Sequence, residues 1–128
     1  MRRKRRGQAL IEFAIVIPVI LLLAAGCMEF GSLYHQKVLL DHAAREGARM
    51  AAIGFPPAQI DQIVTTMLLP RWSSEEVSLL LSEESPFGYD MVRYSVSTNL
   101  KPLTPVCHLA GIPADGIPVT SDAVFRVE

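Results

Sequence analysis

The chain has 128 residues and a formal net charge of −1, enough for one small domain beside a membrane segment. The charge is unevenly spread: five of the 12 Lys and Arg are Arg2, Arg3, Lys4, Arg5 and Arg6, and beyond Gly7 seven basic residues face 13 acidic ones, about −6. Phosphate-binding surfaces need clustered Lys and Arg, so the acidic remainder argues against a nucleic-acid partner.

Residues 1–7 are too basic for a folded core and read as a leader. Residues 9–28 follow as a run of 20 in which Glu12 is the one charge. As a helix this run spans about 30 Å, the thickness of a bilayer core. The basic cluster marks the cytoplasmic side and sends the rest of the chain outward. Glu12 is the anomaly. An ionisable group inside a membrane segment costs about 3 kcal/mol on insertion scales and is a functional candidate by default. Pro18 removes one backbone hydrogen bond and is expected to bend the helix, which membrane helices tolerate.

Helical periodicity continues over residues 29–53. Phe30, Leu33, Tyr34, Leu40, Ala43, Ala44, Gly47, Ala48 and Ala51 recur close to an i, i+3, i+4, i+7 pattern. Asp41 and Arg45 are spaced for an ion pair. Ala43, Ala44, Gly47, Ala48 and Ala51 make the apolar face small, which lets another backbone come close and makes them helix-packing candidates. One helix over 9–53 is expected, roughly 65–70 Å long. Residues 8–28 would cross the membrane and 29–54 would project from it. Gly54, Pro56 and Pro57 end it.

A small head is expected over residues 55–128. A short helix at 58–69 carries an apolar face of Ile60, Ile63, Val64, Met67 and Leu68, and Pro70 closes it. Strands are expected at 76–82, 91–98 and 119–127, with turn chemistry at Ser85-Pro86-Phe87-Gly88. Residues 100–118 hold Pro102, Pro105, Pro113 and Pro118 and read as an irregular excursion. Trp72 is expected to pack between helix and strands. The fold class is therefore α+β: a long N-terminal helix with a membrane-spanning first half, a short helix, and a small antiparallel sheet of two or three strands resting on the projecting helix. A disulfide between Cys27 and Cys107 would need the C-terminal region to reach the membrane surface, so Cys107 reads as a small buried side chain.

Gly7 with Glu12-Phe13 at the head of the apolar run resembles the processing site of type IV pilin-like precursors, in the variant of the Flp/Tad (tight adherence) pili. The segment Arg6-Gly7-Gln8-Ala9-Leu10-Ile11-Glu12-Phe13-Ala14, continued by Glu29-Phe30-Gly31 and by Ala43-Ala44-Arg45-Glu46-Gly47-Ala48-Arg49, is similar to the TadE-like family of minor pilins or pseudopilins. TadF and TadG share this N-terminal pattern. The resemblance covers residues 6–52, and past Pro57 it is only general.

The resemblance implies that a prepilin peptidase cuts after Gly7, leaving Gln8 as the new N-terminus. Glu12, fifth in the mature chain, would then pair with the N-terminal amine of a neighbouring subunit. The physics agrees, since a carboxylate alone in hydrocarbon is unfavourable and an ammonium offsets much of that penalty. It further implies no cofactor and a non-catalytic role in assembling a pilus for surface adhesion. The implied partners are the major Flp-type pilin, a TadF-like minor pilin, the inner-membrane Tad assembly platform and the lipid bilayer. The implied place is the bacterial inner membrane, single pass, with the N-terminus cytoplasmic and the head periplasmic, or the surface pilus itself. Major pilins of this class are much shorter, so a chain with a head fits a minor component.

Two other readings stand beside it. Ala24-Ala25-Gly26-Cys27 resembles a bacterial lipoprotein signal, which would leave an anchored, lipidated Cys27 and a head that binds a partner. An enzyme needs a constellation of groups: His35, His42 and His108 lack metal-ligand spacing, and Cys107 beside His108 does not by itself orient a base toward a nucleophile.

Overall fold

A computed structural model describes residues 2–85, 90–104, 107, 111–113 and 115–127, with backbone alone at 2–6 and 84. Helix α1 runs Arg2–Ala52, 51 residues without a break, with Pro18 inside it. Its length is about 75 Å by the helical rise. Gly54 ends it with φ +85°. The Gly54 N–H donates to Ala51 O at 3.0 Å and the Phe55 N–H to Met50 O at 3.1 Å, the paired bonds that close a helix around a left-handed residue.

Helix α2 covers Pro57–Leu68. Pro57 sits at the first helical position, where no backbone donor is needed. Ile60, Val64 and Leu68 are buried, one row of the helix surface. Ile63 and Met67, expected on the same face, are turned off that row and are exposed.

Strands β1 (Ser78–Glu84), β2 (Met91–Leu100) and β3 (Ile117–Arg126) form an antiparallel meander with β2 at its centre. The turn expected at Ser85-Pro86-Phe87-Gly88 lies, apart from Ser85, outside the described residues. Strand β1 starts two residues later than the sequence suggests, because Glu76 is engaged elsewhere. Its carboxylate accepts the Ser73 N–H at 3.1 Å and Lys101 Nζ at 2.6 Å, and its carbonyl accepts the Thr98 hydroxyl at 2.9 Å. Strand β3 begins earlier than expected and takes in Pro118, opposite Asn99. An edge strand needs donors on one side only, which is where proline is tolerated.

Along β2, Val92, Tyr94, Val96, Thr98 and Leu100 face inward. Tyr94, Val96 and Leu100 join Leu40, Ala43, Ala44, Ala48 and Met50 of α1, the buried row of α2, and Trp72 in one core. The Trp72 indole donates to Asn99 O at 2.9 Å, as a buried indole requires. The small face of α1 is thus covered by this chain's own head. Ala43, Ala44 and Ala48 are buried, Ala51 is half-buried, and a Cβ at Gly47 would lie 2.5 Å from Tyr94 Cδ1. The sequence had suggested this stripe for a neighbouring helix; the close backbone approach it allows is used by β2. Asp41 also differs from expectation: its close ion pair is with Lys37, at 2.7 Å, and Arg45 acts on it only through its charge.

Two predictions follow from this packing. Tyr94 donates to Asp61 Oδ1 at 2.8 Å, so its ring is held and has little freedom to yield to a methyl group at Gly47. Gly47→Ala is expected to overpack the site by about 1–3 kcal/mol, more than the roughly 1 kcal/mol a helix gains from the change. Gly31→Ala, with open space around it, should keep that gain. Urea titrations followed by Trp72 fluorescence in detergent would measure both. Burial, then the hydrogen bond to Asp61 and its charge, push the Tyr94 phenol well above its ordinary value. A raised value in the folded state contributes stability that is whole below pH ~10 and fades as the pH climbs further. Absorbance at 295 nm should therefore show Tyr94 ionising only as the head unfolds at alkaline pH.

Candidate functional site

Two regions of α1 carry the residues of interest. The first is the N-terminal segment. Gly7, Gln8, Glu12 and Phe13 all lie on the helix and all are exposed. Gln8 Nε2 donates to Glu12 Oε1 at 3.3 Å, one turn on. A Cβ at Gly7 would meet nothing within 4 Å, so packing within the chain does not require glycine there. Above this segment Leu10, Ile11, Ile15, Val16, Val19, Ile20 and Leu21 to Leu23 are exposed as well. The helix is long and apolar enough to cross a membrane, and it fits a single-pass anchor.

The second region is the junction between the apolar run and the head. Glu29, one residue past the run, is only 5% exposed. Its Oε1 accepts the Leu103 N–H at 2.6 Å, and its Oε2 accepts the Thr104 N–H at 2.9 Å and the Thr104 hydroxyl at 2.7 Å. The Cys107 thiol donates to the same carboxylate. Two turns on, Gln36 brackets one backbone unit: Nε2 donates to Lys101 O and Oε1 accepts the Lys101 N–H, both at 2.9 Å. Next, Lys37 Nζ reaches Asp41 at 2.7 Å and the Ser121 hydroxyl at 2.6 Å, and that hydroxyl donates to Asp41 at 2.7 Å. Ser121 breaks the apolar alternation of β3 because it is this polar stitch to α1.

The C-terminal region therefore does reach the end of the apolar run, contrary to the expectation from sequence. Lys101, Leu103 and Thr104 are bonded to α1 between Glu29 and Gln36. Cys27 is nonetheless exposed and Cys107 buried, and both are free. Burial, then the Glu29 carboxylate, hold the Cys107 thiol above its ordinary value, which suits a structural cysteine. His108 lies outside the described residues. Sequence reasoning gave no role to Glu29 or Gln36. Their signal was position: a carboxylate immediately after the apolar run, and an amide seven residues later on the same face.

The helix thus presents an apolar first half and a motif-bearing start, and carries a small α+β head on its second half. Residues 7–49 match the family model described as TadE-like protein, a match that points to a Tad-pilus-associated protein. It covers about a third of the chain and ends inside α1, short of the head. None of the curated proteins and none of the solved structures compared with the chain matches it.

If the Glu29 grip holds the loop, Glu29→Ala leaves two buried N–H groups without a partner, at about 1–3 kcal/mol. Hydrogen exchange should then speed up at Leu103 and Thr104 while the amides of β2 stay protected. Unchanged exchange at both loop amides would show that the carboxylate does not hold them.

Proposed function

We propose that this chain is a non-catalytic minor pilin or pseudopilin that takes part in assembling a Tad-type (Flp) pilus. The observation that carries the proposal is the TadE-like match over residues 7–49, which spans Gly7, Glu12, Phe13 and the whole apolar run. The precursor sits in the inner membrane with Arg2 to Arg6 in the cytoplasm and the head in the periplasm. A prepilin peptidase cuts after Gly7. Glu12 then pairs with the new N-terminal amine of a neighbouring subunit, and the apolar run packs against the helices of other pilins, the major Flp-type pilin and a TadF-like minor pilin among them. Within its own chain, Glu12 has only the Gln8 amide at 3.3 Å as a polar neighbour among the described contacts, so a charged partner from outside supplies what hydrocarbon does not.

The unbroken helix through Cys27 supports this reading over a lipidated Cys27, since lipidated chains usually begin with a flexible tether rather than a helix that runs on into a folded head.

Intact mass of the membrane-extracted protein is the deciding measurement. A chain beginning at Gln8 is expected; a lipid-modified Cys27 would sink the proposal. Gly7→Ala is expected to abolish processing, and because nothing packs against Gly7 that loss reads as failed recognition rather than failed folding. Glu12→Ala should be processed normally yet fail to enter assemblies recovered from the cell surface. Normal assembly of that variant would overturn the carboxylate–amine pairing while leaving the cleavage site intact.

A further inference from the structure

We propose that the head is seated on the bilayer surface through an apolar collar at the mouth of the membrane segment, made by Phe30 and Tyr34 on α1 and by Leu103 on the loop. The proposal rests on the reading of residues 8–28 as a membrane span.

Phe30 and Tyr34 are 73% and 64% exposed, and their rings stack at 6.5 Å between centroids. They stand within two turns of the end of the apolar run. Amphipathic aromatic side chains at that height are what anchor helices at the membrane–water boundary. Leu103 reaches the same height from a distant part of the sequence. Its N–H lies 2.6 Å from Glu29 Oε1, which fixes the loop level with Phe30, and its side chain is 53% exposed.

The three side chains do not share a flank. Glu29 and Gln36 face the head, whereas Phe30 and Tyr34 follow Glu29 and Leu33 by one residue each, a turn of about 100° around the helix. Apolar groups therefore project on two sides of α1 at one height.

Lipid is the occupant that this arrangement fits. The exposed surface of the apolar run continues through Met28 into Phe30, so the medium that covers the run extends to the collar. The floor of the head is also prepared for it. Glu29 carries the charge at this height on the head's side, and its oxygens are filled by Leu103, Thr104 and Cys107. This carboxylate is therefore not left bare near the acyl boundary, where it would be penalised. Leu103, on the outside of that wrapping, is placed to enter the headgroup layer as interfacial apolar groups do.

The test uses the full chain with Cys27→Ser in nanodiscs of phosphatidylcholine and phosphatidylglycerol. Spin labels are attached through Leu103→Cys, Tyr34→Cys, Ile20→Cys and Thr66→Cys in separate variants; Cys107 is buried. Power saturation with oxygen and with a water-soluble nickel chelate reads depth. The label at 103 is expected about 6 Å deeper than the label at 34, one helical turn nearer the apolar run, with nickel accessibility several-fold below that at 66. Equal nickel accessibility at 103 and 66, with 20 protected, would mean that the head stands clear of the bilayer and would overturn the seat while leaving the span. Nickel access at 20 equal to that at 66 would overturn the span and the seat together. A label at 103 shielded from both reagents would assign the collar to protein and overturn the proposal.

Discussion

Glu29 stands where α1 changes surroundings, and the head is tied to it there. Its carboxylate takes two backbone N–H groups and a hydroxyl from a loop more than 70 residues later. Gln36 takes both polar groups of Lys101, and Lys37 with Asp41 takes Ser121. Three successive polar contacts thus run up α1 beside the start of its apolar face, where Leu33 and Leu40 enter the core. The helix has no break between them and the apolar run. A stiff, continuous helix leaves the head no independent choice of position, because wherever residues 8–28 lie the head must follow.

Magnitudes separate what stabilises the head from what sets its register. Burying one Leu, Ile or Val contributes roughly 1.5–3 kcal/mol, and α1, α2 and β2 each supply such residues to a single core. Surface ion pairs such as Arg49 with Glu46, at 2.6 Å and largely in water, are worth about 1 kcal/mol or less. Stability therefore comes from the apolar interface with α1, and the sheet has no comparable second layer. The buried polar contacts have a different effect. A carboxylate that is wrapped at 5% exposure tolerates no slip of the loop, since a shift by one residue would leave the charge buried without its donors. The head is held on by its core and aligned by Glu29, Gln36 and Ser121.

Much of this was legible in the sequence, and the exceptions have physical causes. Apolar periodicity reveals elements that bury a face, so α1, α2 and all three strands could be placed, and Gly54 with Pro56 and Pro57 marked the end of α1. Periodicity says nothing about which surface covers a face. The small stripe from Ala43 to Ala51 was therefore recognised as a close-approach surface but assigned to a neighbouring helix, when Tyr94 of the same chain fills it. The partners of Glu29 and Gln36 could not be read for a related reason: they are chiefly backbone groups of residues 101–104, and backbone groups leave no mark in a sequence. Pro118 misled because proline reads as irregular until an edge strand is known to accommodate it. The segment around Gly7, Glu12 and Phe13 carries a local signal, and the TadE-like match begins at Gly7.

Two of the carboxylates of α1, Glu12 and Glu29, sit near opposite ends of the apolar run, about 25 Å apart along the helix. They face the same problem, a charge beside an apolar medium, and meet it differently. Glu29 has its donors within the chain, fixed by folding. It asks nothing of any other molecule, which suits a joint that must hold in the precursor and in the product alike. Among the described residues Glu12 has one neutral amide beside it at 3.3 Å, too weak a partner for a charge in hydrocarbon. On the proposed reading its partner is an ammonium that does not exist until the chain after Gly7 is cut. A satisfied Glu12 in the precursor would remove the preference for assembling only after processing. On that reading the filled carboxylate at the head is a fixed joint and the one at the start a conditional joint, one at each end of the apolar run.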